Sequence, residues 1–253
     1  MSDRMMLKIG GSVITDKSGD CVINPDQLAS LATAVAGCRM TGLVIIHGAG
    51  SCGHPEAKRY RLDRGGATAG HAEGIAVTHH AVSGLNAAVV AALRDQGVEA
   101  VGIHPFHVAF ADGGRLVAFE YRHLEQMLLL GLVPVIHGDV VIDCTRGACI
   151  VSGDQLVRYL APLLAMSRVG IATDVPGVLD GGAVVPVITP ASVRKLQIGI
   201  SSHTDVTGGM KGKINELLDL ARAGVGSEIF HVSRIPDFLS GRDCGGTKVS
   251  ARG

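Results

Sequence analysis

Short apolar runs that stop at glycine recur along this chain, separated by longer stretches of helical character, and that alternation restricts the fold more than any other feature. Met5–Ile9 runs into Gly10 and Gly11, Leu43–His47 into Gly48, and Val133–His137 into Gly138. Compact apolar runs with glycine stops read as buried strands, and strands alternating with helices indicate an α/β protein with a largely parallel sheet. Pro25–Cys38 reads as a helix, with Asn24 as its cap and Pro25 at its first position. The first strand, this helix and Leu43–His47 therefore make a crossover unit. His71–Leu93 is the longest helical candidate and leads into a strand at Glu99–Ile103. Hairpins are expected around Asp112-Gly113-Gly114 and around Cys144-Thr145-Arg146-Gly147, with a helix near Glu125–Leu130 between them. Asp154–Leu164 and Lys213–Ala223 read as helices; Arg168–Thr173, part of Gly182–Ile188, and Glu228–Val232 read as strands. The softest boundary lies near Ala165–Arg168.

At 253 residues the chain holds one large domain or two small ones. Lys plus Arg and Asp plus Glu are equal at 23 each, so no net field draws it to nucleic acid or an anionic membrane. Any anionic ligand must be held by a local site. With no Trp, 3 Tyr and 5 Phe, the aromatic platforms of single-strand binders are missing. The longest apolar run, Met127–Ile136, is interrupted by Gly131 and Pro134 and reaches about half of the roughly 20 residues of a spanning helix. No secretory pattern opens the sequence, so a cytoplasmic location is expected. The six cysteines form no Cys-x-x-Cys pair and are expected to be reduced thiols.

Chemistry concentrates in five segments. Lys8-Ile9-Gly10-Gly11-Ser12 places a lysine beside glycines whose N–H groups can approach a phosphate, with Lys17 on the same connection. His47-Gly48-Ala49-Gly50-Ser51-Cys52-Gly53-His54 offers a nest of backbone donors at the carboxyl edge of a sheet. There His54 either donates to a phosphate oxygen or caps a helix starting at Pro55. Ser152-Gly153-Asp154 enters a helix, where Asp154 is a cap or a partner for converging lysines. Thr173-Asp174-Val175-Pro176-Gly177-Val178 is a polar turn able to cup an adenosine. Gly208-Gly209-Met210-Lys211-Gly212-Lys213 is a further phosphate cradle. His79-His80, with His47, His54 and His71, has no spacing that defines a zinc geometry, so no metal site is expected.

Taken in this order, the segments resemble the amino acid kinase superfamily over Lys8 to about Val249, and within it the isopentenyl phosphate kinases, which the final histidine of His-Gly-x-Gly-Ser-x-Gly-His suggests most sharply. The resemblance implies a three-layer αβα sandwich around a mostly parallel eight-stranded open sheet, one continuous unit. Residues 1–165 would bind the acceptor phosphate and 166–253 the nucleotide. It implies transfer of a phosphoryl group from ATP, with Mg²⁺, to isopentenyl phosphate, by a homodimer. Lys8, Lys17, His54, Asp154 and Lys213 would be catalytic. Lys8, Gly10, Gly11, Ser12, Ala49, Asp174, Gly177, Gly209 and Lys213 would hold ATP, and Gly48, Gly53, His54 and Gly153 the acceptor phosphate. Ile75, His79 and Val82, on one face of a helix, would wall the acceptor's tail. Ala49 stands where the family usually has glycine, which a negative φ would accommodate. The rival readings are a fosfomycin kinase-like phosphonate kinase and a non-catalytic nucleotide or anion-binding protein.

Overall fold

The computed structural model describes residues 4–16, 21–38, 41–62, 70–195 and 209–252. Its centre is an eight-stranded sheet in the order Val187–Ile188, Thr247–Val249, Ser227–His231, Arg168–Thr173, Met5–Ile9, Leu43–His47, Val133–His137, Ala100–Ile103. The six strands from Ser227–His231 to Ala100–Ile103 pair in parallel, and Thr247–Val249 joins antiparallel at one side. Residues from both sides of the Ala165–Arg168 boundary share this sheet.

Strand alternation sorts the side chains into two cores. Met5, Leu7 and Ile9 face the helices Pro25–Gly37, His71–Asp95 and Ile235–Leu239, packing with Leu31, Val35, Leu85, Val89 and Phe238. Met6, Val44 and Ile46 face Tyr121–Leu129, Gly153–Leu163 and Gly209–Arg222, packing with Leu124, Leu156, Leu160, Ile214 and Leu217. Lys8 shares the Met6 side by the same alternation, at the carboxyl end of the central strand. The starts of Gly153–Leu163 and Gly209–Arg222 cover that end of the sheet.

The two expected hairpins are both present, and Arg115–Phe119, Ala109–Asp112, Asp139–Asp143 and Gly147–Val151 form a four-stranded sheet separate from the central one. Its tips are tied by Asp143, whose carboxylate accepts from the backbone N–H groups of Gly113, Gly114, Thr145 and Arg146. Gly50–Arg59 is one helix running through Pro55, so His54 lies within a helix rather than capping one. Cys21 and Cys52 are joined by a disulfide, whereas all six thiols were expected to be reduced. Ile23 pairs with Thr15, whose Oγ1 also accepts from the Ser51 N–H next to the buried Cys52, so both cysteines lie beside the same pairing. Finally, His71–Asp95 is by length and composition able to cross a membrane, a feature that the search for uninterrupted apolar runs missed. Its Leu85, Val89 and Leu93 are fully buried in the core that Met5, Leu7 and Ile9 form.

Candidate active site

Two cations and one carboxylate meet at the end of the central strand. Ser152 caps the helix Gly153–Leu163 by accepting from the N–H of Gln155, which places Asp154 in the first turn. Asp154 receives Lys213 Nζ on both oxygens, at 3.2 and 3.0 Å, and Lys8 Nζ stands 3.2 Å from one of them. All three side chains are close to fully buried. Burial alone would push the Asp154 carboxyl up, but the Lys213 and Lys8 ammonium groups outweigh it and hold the pKa at about 2. Burial pulls Lys8 down to about 8, with Lys213 acting in the same direction and Asp154 against it. Asp154 is therefore ionised and engaged, with no capacity left to act as a base at neutral pH. Its evident work is to hold two ammonium heads side by side.

The glycine loops meet back to back beside this trio. A Cβ on Gly11 would stand 2.2 Å from the Gly50 nitrogen, and one on Gly48 would stand 2.7 Å from the Gly11 nitrogen, so backbone here touches backbone. Thr15 clasps the two loops, since its Oγ1 donates to the Gly11 carbonyl and accepts from the Ser51 N–H. Gly50 has φ +54°, and a Cβ there would also strike Thr15. Ala49 has φ −72°, the negative value that accommodates its methyl. His54 follows Gly50 by one helical turn, on the same face. Gly153 abuts both loops: a Cβ on it would lie 3.2 Å from Lys8 Cε and 3.5 Å from the His47 carbonyl, and one on Gly138 would lie 3.3 Å from the Gly153 nitrogen. A cavity of about 200 Å³ opens beside Asp154, lined among others by Arg146, Ser152, Gln155 and Gly212.

An apolar cluster lies beyond the helix that carries His54. Ala57, Leu62, Val140 and Ala148 are its buried members, with Tyr60, Ile75, Phe106 and Ile150 packed against them. His79 is fixed next to it by Asp139, at 3.1–3.2 Å, and its ring lies 4.8 Å from that of Phe106. The Asp139 bond raises the His79 pKa, outweighing partial burial. Val82, expected on the same wall, is wholly buried, and its Cγ1 would meet a Cβ placed on Gly53. It supports the glycine-rich helix from beneath.

The other residues anticipated for ATP are placed as follows. Asp174 is exposed on the turn after Arg168–Thr173, and Gly177 is buried where a Cβ would strike Thr247 Oγ1 at 2.8 Å. Gly10 is the N-cap of the short helix Gly11–Ile14 and Gly11 its first residue, with Ser12 exposed, and Gly209, at φ +59°, opens the helix of Lys213. Lys17 lies outside the described residues. Sequence reasoning missed Thr15, Asn86, His104 and Asp139 as parts of the site's framework. The period-2 pattern reveals which face a residue takes but not what crosses above it.

This fold and this lysine–carboxylate–lysine cluster, set among glycine loops, define a phosphoryl-transfer protein of one class. The chain belongs to the amino acid kinase family, whose model matches residues 3–231. Among its relatives, an isopentenyl phosphate kinase of Methanothermobacter thermautotrophicus is 36% identical over 98% of this chain and 99% of its own. That of Haloferax volcanii is 38% identical over 95% and 96%. A solved structure described as isopentenyl phosphate kinase superposes with a TM-score of 0.88 at 33% identity, covering 98% of this chain and all of the other.

Proposed function

We propose that this protein is an isopentenyl phosphate kinase, transferring the γ-phosphoryl of ATP to the phosphate of isopentenyl phosphate to give isopentenyl diphosphate and ADP. The observation that carries the reading is the buried pair Lys8 and Lys213 clamped by one ionised Asp154. An acceptor that is already an anion needs no general base, and the dominant demand is to hold two mutually repelling phosphates in line and absorb charge at the transferring group. Two desolvated ammonium heads and the glycine N–H groups around them suit that demand. The helix start at Gly50 and the His54 imidazole are assigned to the acceptor phosphate, and the apolar cluster of Ile75, Phe106 and Ile150 to its prenyl tail. Residues 1–165 take the acceptor, and residues 166–253 take the nucleotide at Asp174, Gly177 and Gly209.

Magnesium is part of the proposal only as ATP's own companion. Asp154 is engaged by two lysines, and among the described residues no group of three His, Cys, Asp or Glu is placed to hold an ion. No step is routed through it. The sequence resemblance extends the proposal to a cytoplasmic homodimer, and sedimentation of the purified protein tests the dimer.

Coupling ADP release to a spectrophotometric readout, with isopentenyl phosphate, dimethylallyl phosphate and fosfomycin as parallel acceptors, tests the reading. Prenyl phosphates are expected to be used and fosfomycin to be poor. A preference for fosfomycin would overturn the substrate assignment, and no turnover with any phosphate acceptor would overturn the kinase reading. In the same assay His54→Ala should lower kcat/KM for the acceptor by roughly ten- to a hundredfold, the value of a hydrogen bond to a charged oxygen. His54→Gln should retain part of the activity, and unchanged kinetics in the alanine variant would remove His54 from the acceptor site.

A further inference from the structure

Two histidines end adjacent parallel strands in register, and each is followed by a glycine: His47-Gly48 and His137-Gly138. Both rings are fully buried and stack with centroids 5.6 Å apart. In each case Nδ1 lies 3.0 Å from the carbonyl oxygen of the next residue, Gly48 for one and Gly138 for the other. A carbonyl only accepts, so both Nδ1 atoms carry the proton. The opposite ring nitrogens agree. Asn86 Nδ2 donates to the Val135 carbonyl at 3.1 Å, which identifies it as the amide nitrogen, and at 3.1 Å it also faces His47 Nε2, which must accept. His104 Nδ1 stands 2.9 Å from His137 Nε2, and with that ring neutral, His104 is the donor. Burial, the largest influence on both, lowers the pKa of His47 to about 4 and that of His137 to about 3, so neither ring charges at neutral pH.

We propose that His47 and His137 are positioning residues that set the peptide planes of the two His-Gly turns at the head of the acceptor site, each by donating Nδ1–H to the following glycine's carbonyl. The consequence is plainest at Gly48. Its carbonyl is turned inward to the ring, and across a trans peptide the Ala49 N–H faces the opposite way. Ala49 is the N-cap residue of Gly50–Arg59, where backbone donors have no partner in the helix itself. Lys8 and Gly153 approach the same corner, since Gly153 lies against both Lys8 Cε and the His47 carbonyl. Asn86 and His104 then act at one remove, by fixing the tautomers. Gly102 takes part too, because a Cβ there would stand 2.4 Å from Asn86 Oδ1.

The kinetic part of the test rests on the kinase reading; the spectroscopic part does not. An Asn side chain places its amide nitrogen where His carries Nδ1, whereas Gln places it near Nε2. His47→Asn is therefore expected to keep the acceptor KM within about threefold of wild type, and His47→Gln to raise it about tenfold with the KM for ATP unchanged. Packing alone predicts the reverse order, because Gln fills the imidazole's space better than Asn. Nitrogen-15 correlation spectra of the unmodified protein supply the second readout, and they hold even if a variant fails to fold. Two non-titrating Nδ1–H tautomers are expected from pH 5.5 to 8. Nε2–H tautomers, titration in that range, or Gln outperforming Asn would each overturn the proposal. If isopentenyl phosphate is not a substrate but the tautomers are found, the kinase reading falls and the peptide-orienting role stands.

Discussion

Lys213→Ala is expected to lower kcat by about 10²–10³-fold while the affinity for ATP falls by less than about tenfold, the pattern of a charge that works mainly on the transition state. Lys213 Nζ is anchored to both Asp154 oxygens, almost fully buried and near the start of a fourteen-residue helix, so its position is set before substrate arrives. Lys211, two residues earlier, is exposed. Its alanine variant should change kcat by less than about threefold, as surface charges usually do. Steady-state kinetics with calorimetric ATP titrations of both variants make the comparison, and a reversed ranking would displace Lys213 from its assigned role.

Asp154→Ala should be the most damaging single change. It leaves Lys8 and Lys213 buried side by side without the carboxylate between them, and breaking a buried ion pair from one side costs about 3–5 kcal/mol. Asp154→Asn keeps the shape and isolates the charge. Asp154 is the influence that raises the Lys8 pKa against burial, so its loss must move that pKa below its present value of about 8. The alkaline limb of the kcat profile in Asp154→Asn should therefore shift to lower pH. An unmoved limb would mean that Lys8 is not the titrating group. The unmodified protein has a matching signature at acid pH. The folded pKa of Asp154, about 2, lies below its ordinary 3.8, so its contribution to stability is complete above the ordinary value and is lost as pH falls through about 2. Chemical denaturation across that window measures it, and a pH-independent midpoint would contradict the ion-pair assignment.

Met5–Ile9, Leu43–His47, Val133–His137 and Arg168–Thr173 were legible residue for residue, because central parallel strands must be apolar on both faces and must stop where the chain turns. The glycine and lysine segments likewise marked where Lys8, Asp154 and Lys213 converge and where backbone touches backbone, since such close approach admits few residue types. Gly50–Arg59 was not legible as a helix. Two glycines and a proline in ten residues give it poor intrinsic propensity, and it is Thr15, Val82 and the neighbouring loop that hold it in place. Nor did 31 residues of separation announce that Cys21 would meet Cys52.

The histidines divide the two sources of information most clearly. Local sequence determined that strands end at His47 and His137 and that a helix carries His79. Only the tertiary structure decided that the first two are buried neutral donors beneath the glycine turns while the third faces the apolar cluster beside Asp139. Periodicity is a property of one segment and specifies which side a residue takes. Burial, tautomer and charge depend on the partners that other segments bring to that side, and those partners are assembled only when the layers pack.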